Sequence, residues 1–142
     1  DLRKIFTTSK IVTDLERMAD YAVDICKVAQ RVELDILGEE CEPVWQMVDI
    51  LRKMIKRSLE AFVTGNVKEA YEICKMDDEE DILYRGLFND ILKNMAKNET
   101  IINKGAQILF ASKYLERVGD HVTNICEWII FSSKGDYVDL NE

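Results

Sequence analysis

The sequence is poor in the residues that interrupt helices. Its 142 residues include a single proline, Pro43, and six glycines, so few positions break regular structure. Apolar residues recur at the three- and four-residue steps of a helix. Hydrophobic residues make up 47% of the chain, a proportion typical of globular rather than disordered proteins. The sequence therefore predicts one all-α protein, long enough to bury a substantial core.

Other scarcities exclude classes of function. The net charge of −8 argues against a nucleic-acid partner or an anionic lipid surface, because both require clustered Lys and Arg. The lone histidine, His121, is not placed three residues after a glutamate, so the Glu-x-x-His signature of di-iron enzymes is absent. A serine-histidine-aspartate set and a glycine-rich phosphate loop are also missing. These features predict a protein that is not an enzyme.

The membrane and redox signals are equally weak. No apolar run reaches the roughly 18 residues of a membrane span, which predicts a cytoplasmic protein without direct membrane insertion. The four cysteines form no CxxC pair. Cys26 and Cys126 fall on predicted apolar stripes, so we expect buried free thiols in a reducing compartment.

Four helices are predicted, over residues 2–32, 43–64, 67–96 and 100–133. Residues 38–43 mark the first connection and residues 64–66 the second. Short connections predict antiparallel neighbours and hence an up-and-down bundle. The inner face of the first helix is predicted to contain Val12, Leu15, Ala19, Ala22, Cys26 and Ala29.

A motif occurs twice, 100 positions apart. Residues 14–26 read DLERMADYAVDIC and residues 114–126 read YLERVGDHVTNIC, with six of thirteen positions identical and no gap. Each copy has carboxylates at i and i+4, Glu16 with Asp20 and Glu116 with Asp120, which are neighbours on a helix. Two matched copies indicate a duplicated unit. Ala19 and Gly119, the small residues before the motif aspartates, indicate close helix packing.

A second acidic pair lies on the third helix. Asp77 and Asp81 share a side with apolar residues, where unpaired carboxylates are costly. If the third and fourth helices are antiparallel neighbours, this pair faces Glu116 and Asp120 across a groove, with Asn124 as a further oxygen donor. Four carboxylates together suit iron, manganese, magnesium or zinc. Asp24 extends the corresponding row on the first helix, beyond Glu16 and Asp20.

Two structural explanations compete with a metal site. Arg17 and Arg117 stand beside the motif glutamates and offer ion pairs that would make the motif purely structural. The run at residues 77–81 is also compatible with a solvated helix face. A scaffold of this kind would bind no metal.

The motifs resemble those of the PhoU family, the bacterial phosphate-uptake regulators. Residues 114–127 (YLERVGDHVTNICE) look like the family's hallmark segment, and residues 14–25 like its first-repeat copy. Residues 1–5 resemble the segment that opens the third helix of repeat one, and residues 65–81 a helix pair with an acidic cluster. The resemblance covers essentially the whole chain.

The family fold is two similar three-helix bundles in tandem. The resemblance implies that residues 1–33 are the third helix of the first repeat and residues 34–142 the complete second repeat. The first two helices would then be missing, as in a fragment. We expect such a chain to self-associate into a homo-oligomer such as a dimer, by exchange of its first helix between chains.

The resemblance also implies a cofactor and partners. Members hold a multinuclear metal cluster, iron in some of them, on a Glu- or Asp-x-x-x-Asp motif pair per repeat. They damp phosphate uptake and the phosphate-starvation response through the phosphate ABC transporter ATPase and a sensor histidine kinase. A metal-binding adaptor is thus the leading hypothesis, ahead of the scaffold and of a carboxylate-bridged metalloenzyme. The implied ligands are Asp77, Asp81, Glu116, Asp120 and Asn124 in the second repeat, and Glu16, Asp20 and Asp24 in the first.

Overall fold

Four long helices and one short turn form the computed structural model, which describes residues 2–32, 41–135 and 139–140. The helices are α1 (Leu2–Arg31), α2 (Glu42–Thr64), α3 (Val67–Lys97) and α4 (Ile102–Lys134), and a 3-10 turn, Glu99–Ile101, precedes α4. The all-α prediction is confirmed, and each observed helix end lies within two residues of its predicted position. The predicted division into repeats at residue 33 falls outside the described residues and stays a prediction.

The helix ends follow from a few residues. Pro43 lies in the first turn of α2, where its missing N–H costs no hydrogen bond. Gly65 ends α2 with a φ of 66°, a left-handed conformation that glycine adopts at little cost. Asn66 then begins α3, and its side chain accepts a hydrogen bond of 3.0 Å from the backbone N–H of Glu69. Residues 38–40 of the first predicted connection lie outside the described part of the chain.

The central helix is α4, which is buried on most of its circumference. Helices α2 and α3 pack against one side of it and α1 packs against another. Its buried residues therefore occupy several rows, including Leu115, Val118, Val122 and Ile125. A helix that is apolar on most sides is one that has neighbours on most sides.

The predicted inner face of α1 is wrong for four of its six residues, while Leu15 and Ala29 are half-buried. The buried residues of α1 include Thr7, Ile11, Asp14, Met18 and Val28, whereas the predicted row is shifted from this one by a single position. Val12 is 56% exposed, and Ala19, Ala22 and Cys26 are also exposed. Both rows have helical spacing, and a one-residue shift turns a row by about 100° around the helix axis.

The same error affects one thiol. Cys126 is buried, as expected, but Cys26 is exposed because it belongs to the outward row of α1. A hydrogen bond with the neighbouring thiol of Cys74, followed by burial, raises the pKa of Cys126, which keeps it protonated and unreactive. Over the described residues, no helix has the length and apolarity needed to cross a membrane.

The two motif copies meet where α1 crosses α4. Nδ1 of His121 lies 2.8 Å from Oδ1 of Asp14. The rings of Tyr21 and Tyr114 lie 6.0 Å apart. Because positions 14 and 21 correspond to positions 114 and 121, these two contacts are counterparts under a pseudo-two-fold axis. The repeated motif is therefore matched by a local pseudo-symmetry where α1 crosses α4.

Candidate metal centre

An acidic groove of about 510 Å³ runs between α3 and α4. The structure brings together here the two carboxylate pairs that the sequence places on separate helices, together with Asn124. The residues that line it are Tyr21, Asp77, Asp78, Asp81, Glu116, Arg117, Asp120, His121, Asn124 and Leu140. Their role as metal ligands remains a prediction, while the common groove is an observed feature.

Gly119 allows α4 to approach the acidic face of α3. A Cβ atom at this position would lie 2.7 Å from Oδ1 of Asp77 and 3.5 Å from Oε2 of Glu80. The first distance is shorter than real Cβ contacts permit. Gly119 therefore has the packing role expected from the sequence, and its small size leaves room for the Asp77 carboxylate. The same expectation is wrong for Ala19, the equivalent residue of the first copy, because Ala19 is exposed.

The groove disfavours negative charge on Asp77, Asp81 and Asp120. Burial, then the nearby Asp81 and Asp120, raise the pKa of Asp77 from 3.8 to about 7. Burial also raises the pKa of Asp81 and of Asp120, with Glu116 as the next cause for each. Groups that repel one another in this way are neutral in part, or they share a cation.

Glu80 belongs to this site and was missed by sequence reasoning. It is 0% exposed, and burial followed by Asp77 raises its pKa from 4.5 to about 8. Its signal is the alternation of steps of three and four along α3, which assigns position 80 to the interior. The row that shows this is Ala70, Ile73, Asp77, Glu80, Tyr84, Leu87 and Ile91.

The buried oxygen atoms give a direct test of whether a cation fits. Oδ1 of Asp77 and both carboxylate oxygens of Glu80 are buried without a hydrogen-bond partner. One oxygen each from Asp77, Glu80 and Asp81 lies within 4.8 Å of the others. Oxygen donors left without partners at this spacing suit a hard or borderline cation.

The cation paired with Glu116 is Lys113, one turn earlier on α4. Its Nζ lies 2.6 Å from Oε2 of Glu116, and it also lies 5.4 Å from the centre of the Tyr84 ring. Arg117 lines the groove but its side chain is exposed. The arginine-pairing explanation therefore does not account for the contact made by the motif glutamate.

Asp14 connects the groove to α1. It is only 7% exposed, and it accepts hydrogen bonds from Nδ2 of Asn124 at 3.4 Å and, in the tautomer that donates from Nδ1, from His121. The His121 ring lies 5.8 Å from the ring of Tyr21. The wall of the groove thus depends on residues from both motif copies.

The first-copy carboxylates lie elsewhere. Glu16 and Asp20 are exposed on α1, and Asp24 is half-buried with Oδ1 3.7 Å from Nζ of Lys27. These three residues lie outside the α3–α4 groove, and their predicted role as ligands stays a prediction. The difference between the copies arises because α4 has α3 beside its carboxylate row.

Known proteins resemble this chain in sequence. The family model described as PhoU domain matches residues 1–29 and 44–129. The Clostridium acetobutylicum relative, named phosphate-specific transport system accessory protein PhoU homolog, is 47% identical over 100% of this chain and 65% of its own length. A relative of the same name from Streptococcus pneumoniae serotype 4 is 33% identical over 99% of this chain and 65% of its own length.

Solved structures resemble it as well. The crystal structure of the phosphate transport system regulatory protein PhoU from Streptococcus pneumoniae superposes with a TM-score of 0.90 at 32% identity, covering 98% of this chain and 66% of that one. PhoU from Pseudomonas aeruginosa gives 0.85 at 30% identity, over 96% and 66%. The chain thus spans about 65% of the length of the curated relatives named above.

The fold and the groove together define the class to which this protein belongs. It is an all-helical protein with an internal repeat and a carboxylate-lined groove between two helices. The match of the family model over most of the chain, together with the relatives at 47% and 33% identity, makes it a member of the PhoU family. The resemblance predicted from the two motif copies is confirmed.

Proposed function

We propose that this protein is a non-enzymatic accessory regulator of phosphate transport, and that its α3–α4 groove binds metal. The observation that carries the metal-binding part is the set of buried, unpartnered oxygens of Asp77 and Glu80. The printed names of the relatives support the link to phosphate transport. A bound cation would neutralise the carboxylates of α3 and α4.

The ligands we assign to the groove are Asp77, Asp81, Glu116 and Asp120, with Asn124 as a further oxygen donor. Their donor atoms are oxygens, which favour iron, manganese or magnesium over soft metals. Several carboxylates in one groove support a cluster of more than one ion, with iron as the leading candidate and zinc as an alternative. A cation that binds only the folded state, and not the unfolded chain, raises the free energy of unfolding. Above saturation, this increase grows with the logarithm of the free cation concentration.

The metal content of the purified protein tests this proposal. We expect stoichiometric transition metal in the wild type by inductively coupled plasma mass spectrometry, and its loss in Asp81→Asn/Asp120→Asn. The matched control is Glu16→Gln/Asp20→Asn, which removes the equivalent carboxylates of the exposed first copy and should keep the metal in the groove. If the wild-type protein folds normally but stays free of metal after exposure to iron and manganese, the result would favour the hypothesis of a structural scaffold that binds no metal.

The regulatory role involves contacts with the phosphate ABC transporter ATPase and with a sensor histidine kinase. We propose that the protein works on the cytoplasmic side of that assembly, with a helical face as its docking surface. The cation would hold α3 and α4 together and so keep that face in one shape. A homo-oligomer formed through the exposed row of α1 remains part of the proposal, because Val12 and Val23 are more than half exposed there.

A cellular assay tests the regulatory part separately. In a bacterium whose own relative has been deleted, the full-length protein should restore repression of a phosphate-starvation reporter in phosphate-rich medium. We expect Asp81→Asn/Asp120→Asn to repress less than the wild type at equal protein level. Unchanged reporter activity with well-folded wild-type protein would contradict the regulatory role without bearing on metal binding.

A further inference from the structure

Glu80 lies in a position that normally suits an apolar side chain. It belongs to the interior row of α3, seven residues after Ile73 and seven before Leu87, both of them buried. Its carboxylate is fully buried, and neither of its oxygens has a hydrogen-bond partner in the protein. A charged group in such surroundings is costly unless something pairs with it.

The neighbouring oxygens are arranged for one shared partner. Oxygens of Asp77, Glu80 and Asp81 lie within 4.8 Å of one another. Oxygen ligands lie about 2.0–2.6 Å from ions between Mg²⁺ and Ca²⁺ in size. Two oxygens on opposite sides of one such ion are therefore about 4–5 Å apart. A single cation can therefore contact all three carboxylates at once.

Glu80 is set behind the groove rather than along its rim. Asp77 and Asp81 line the groove, whereas Glu80 does not line it and is fully buried, with Oε2 3.5 Å from where a Cβ of Gly119 would stand. Asp77 thus has a buried oxygen on the inner side while it also borders the groove. The carboxylates therefore form two levels, an outer one that lines the groove on α3 and α4 and an inner one at the enclosed Glu80.

We infer that Asp77, Glu80 and Asp81 form an inner cation position beneath the groove, with Glu80 as its deepest ligand. This inference rests on the proposed metal binding and adds a residue outside the repeated motif pairs. Three carboxylates and no nitrogen or sulfur donor favour a hard, oxygen-preferring cation such as Mn²⁺ or an iron ion. Burial on α3 makes this position the tighter one, because water competes less for a desolvated ligand set.

The test is a titration of metal-stripped protein with Mn²⁺. Binding is measured by calorimetry and by the decrease in the electron paramagnetic resonance signal of free Mn²⁺. We expect Glu80→Gln to lose the tightest-binding equivalent, or to lower its affinity at least tenfold. The matched control is Glu79→Gln, the adjacent and exposed carboxylate of α3, which should bind as the wild type does. Methionine is apolar, similar in length to glutamate and suited to a core position. Glu80→Met should therefore keep the fold and also lose the most tightly bound equivalent of Mn²⁺.

The outcomes separate the two proposals. Wild type and both Glu80 variants binding Mn²⁺ alike would overturn the inner position and leave the groove as a metal site. A wild type that binds neither Mn²⁺ nor iron would overturn the proposed metal binding itself, and with it this inference. Thermal unfolding in EDTA checks the fold, since Glu80→Gln and Glu80→Met should melt at or above the wild-type temperature once the unpaired carboxylate is gone.

Discussion

Gly119→Ala is expected to weaken the fold and to displace the carboxylate that joins the two levels of the site. The added Cβ would lie 2.7 Å from Oδ1 of Asp77 and 3.4 Å from Cδ2 of Leu51. Asp77 has a short side chain enclosed by α4 and by other carboxylates, so relief requires a shift of the helices. Overpacking of this kind costs about 1–3 kcal/mol of unfolding free energy. We expect cation affinity to fall at least tenfold, because a displacement of about 1 Å spoils coordination.

The matched control is Gly86→Ala on the exposed side of α3. Nothing lies within 4 Å of a Cβ built at Gly86, and alanine is favoured over glycine inside a helix by about 1 kcal/mol. The same chemical change should therefore stabilise the protein at position 86 and destabilise it at position 119. Urea unfolding in EDTA measures both. Equal stabilisation by the two substitutions would contradict the close approach of α4 to Asp77.

The metal-free protein should be less stable at pH 8 than at pH 5. The pKa of Asp77 is about 7 in the fold against 3.8 ordinarily, and that of Glu80 is about 8 against 4.5. Between about pH 4 and pH 8 the folded chain therefore holds protons that the unfolded chain has released. Rising pH removes them at a cost to the fold, so stability falls through this window and levels off above the folded pKa values.

The size of this effect follows from the pKa of Asp77. A rise of about three pKa units corresponds to about 4 kcal/mol, since one unit is worth about 1.4 kcal/mol. This is an upper value for that group, because Glu80 titrates with it and the two share part of the repulsion. The surrounding charges are negative on Asp78, Asp81, Glu116 and Asp120, and positive on Arg85, Lys113 and Arg117.

Urea unfolding between pH 5 and pH 8.5 in EDTA measures the slope. Asp77→Asn/Glu80→Gln should flatten it and should be more stable than the wild type at pH 8. The control Glu16→Gln/Asp20→Asn changes two exposed carboxylates of α1 and should leave the slope as it is. Saturating Mn²⁺ should raise the wild-type stability most at pH 8, where the ligands have lost their protons. A slope that survives in Asp77→Asn/Glu80→Gln would assign the pH dependence to other groups.

The helices could be predicted closely because their signals are local. Pro43 and the Gly65–Asn66 pair mark ends that depend on backbone chemistry alone. The buried face of α1 could not be chosen in the same way. Its two apolar rows have the same period and differ by one position, and the row that is buried depends on where α4 lies. Periodicity predicts that a helix has an inner face, but a helix with two apolar faces needs its neighbours to distinguish them.

The site shows a similar division. The motif pairs predicted that carboxylates from α3 and α4 share a groove, because spacing within a helix is independent of the rest of the fold. Glu80 was missed because it stands inside an acidic run, where a solvated side chain is the usual explanation. Its interior position is visible in the alternating row from Ala70 to Ile91. Its lack of partners became visible with the packing of α4 against α3.

The pseudo-two-fold crossing of α1 and α4 affects how substitutions act. In a symmetric dimer of identical chains, each substitution changes both symmetry-related contacts of the interface. Its cost in free energy is therefore incurred twice. Here the equivalent positions belong to one chain, so each end changes alone. One end contains Asp14 and His121, and the other contains Tyr114 and Tyr21. Because the two copies lie in one chain, the penalty of each substitution at the crossing is halved, and one end can contain polar chemistry while the other contains aromatic packing.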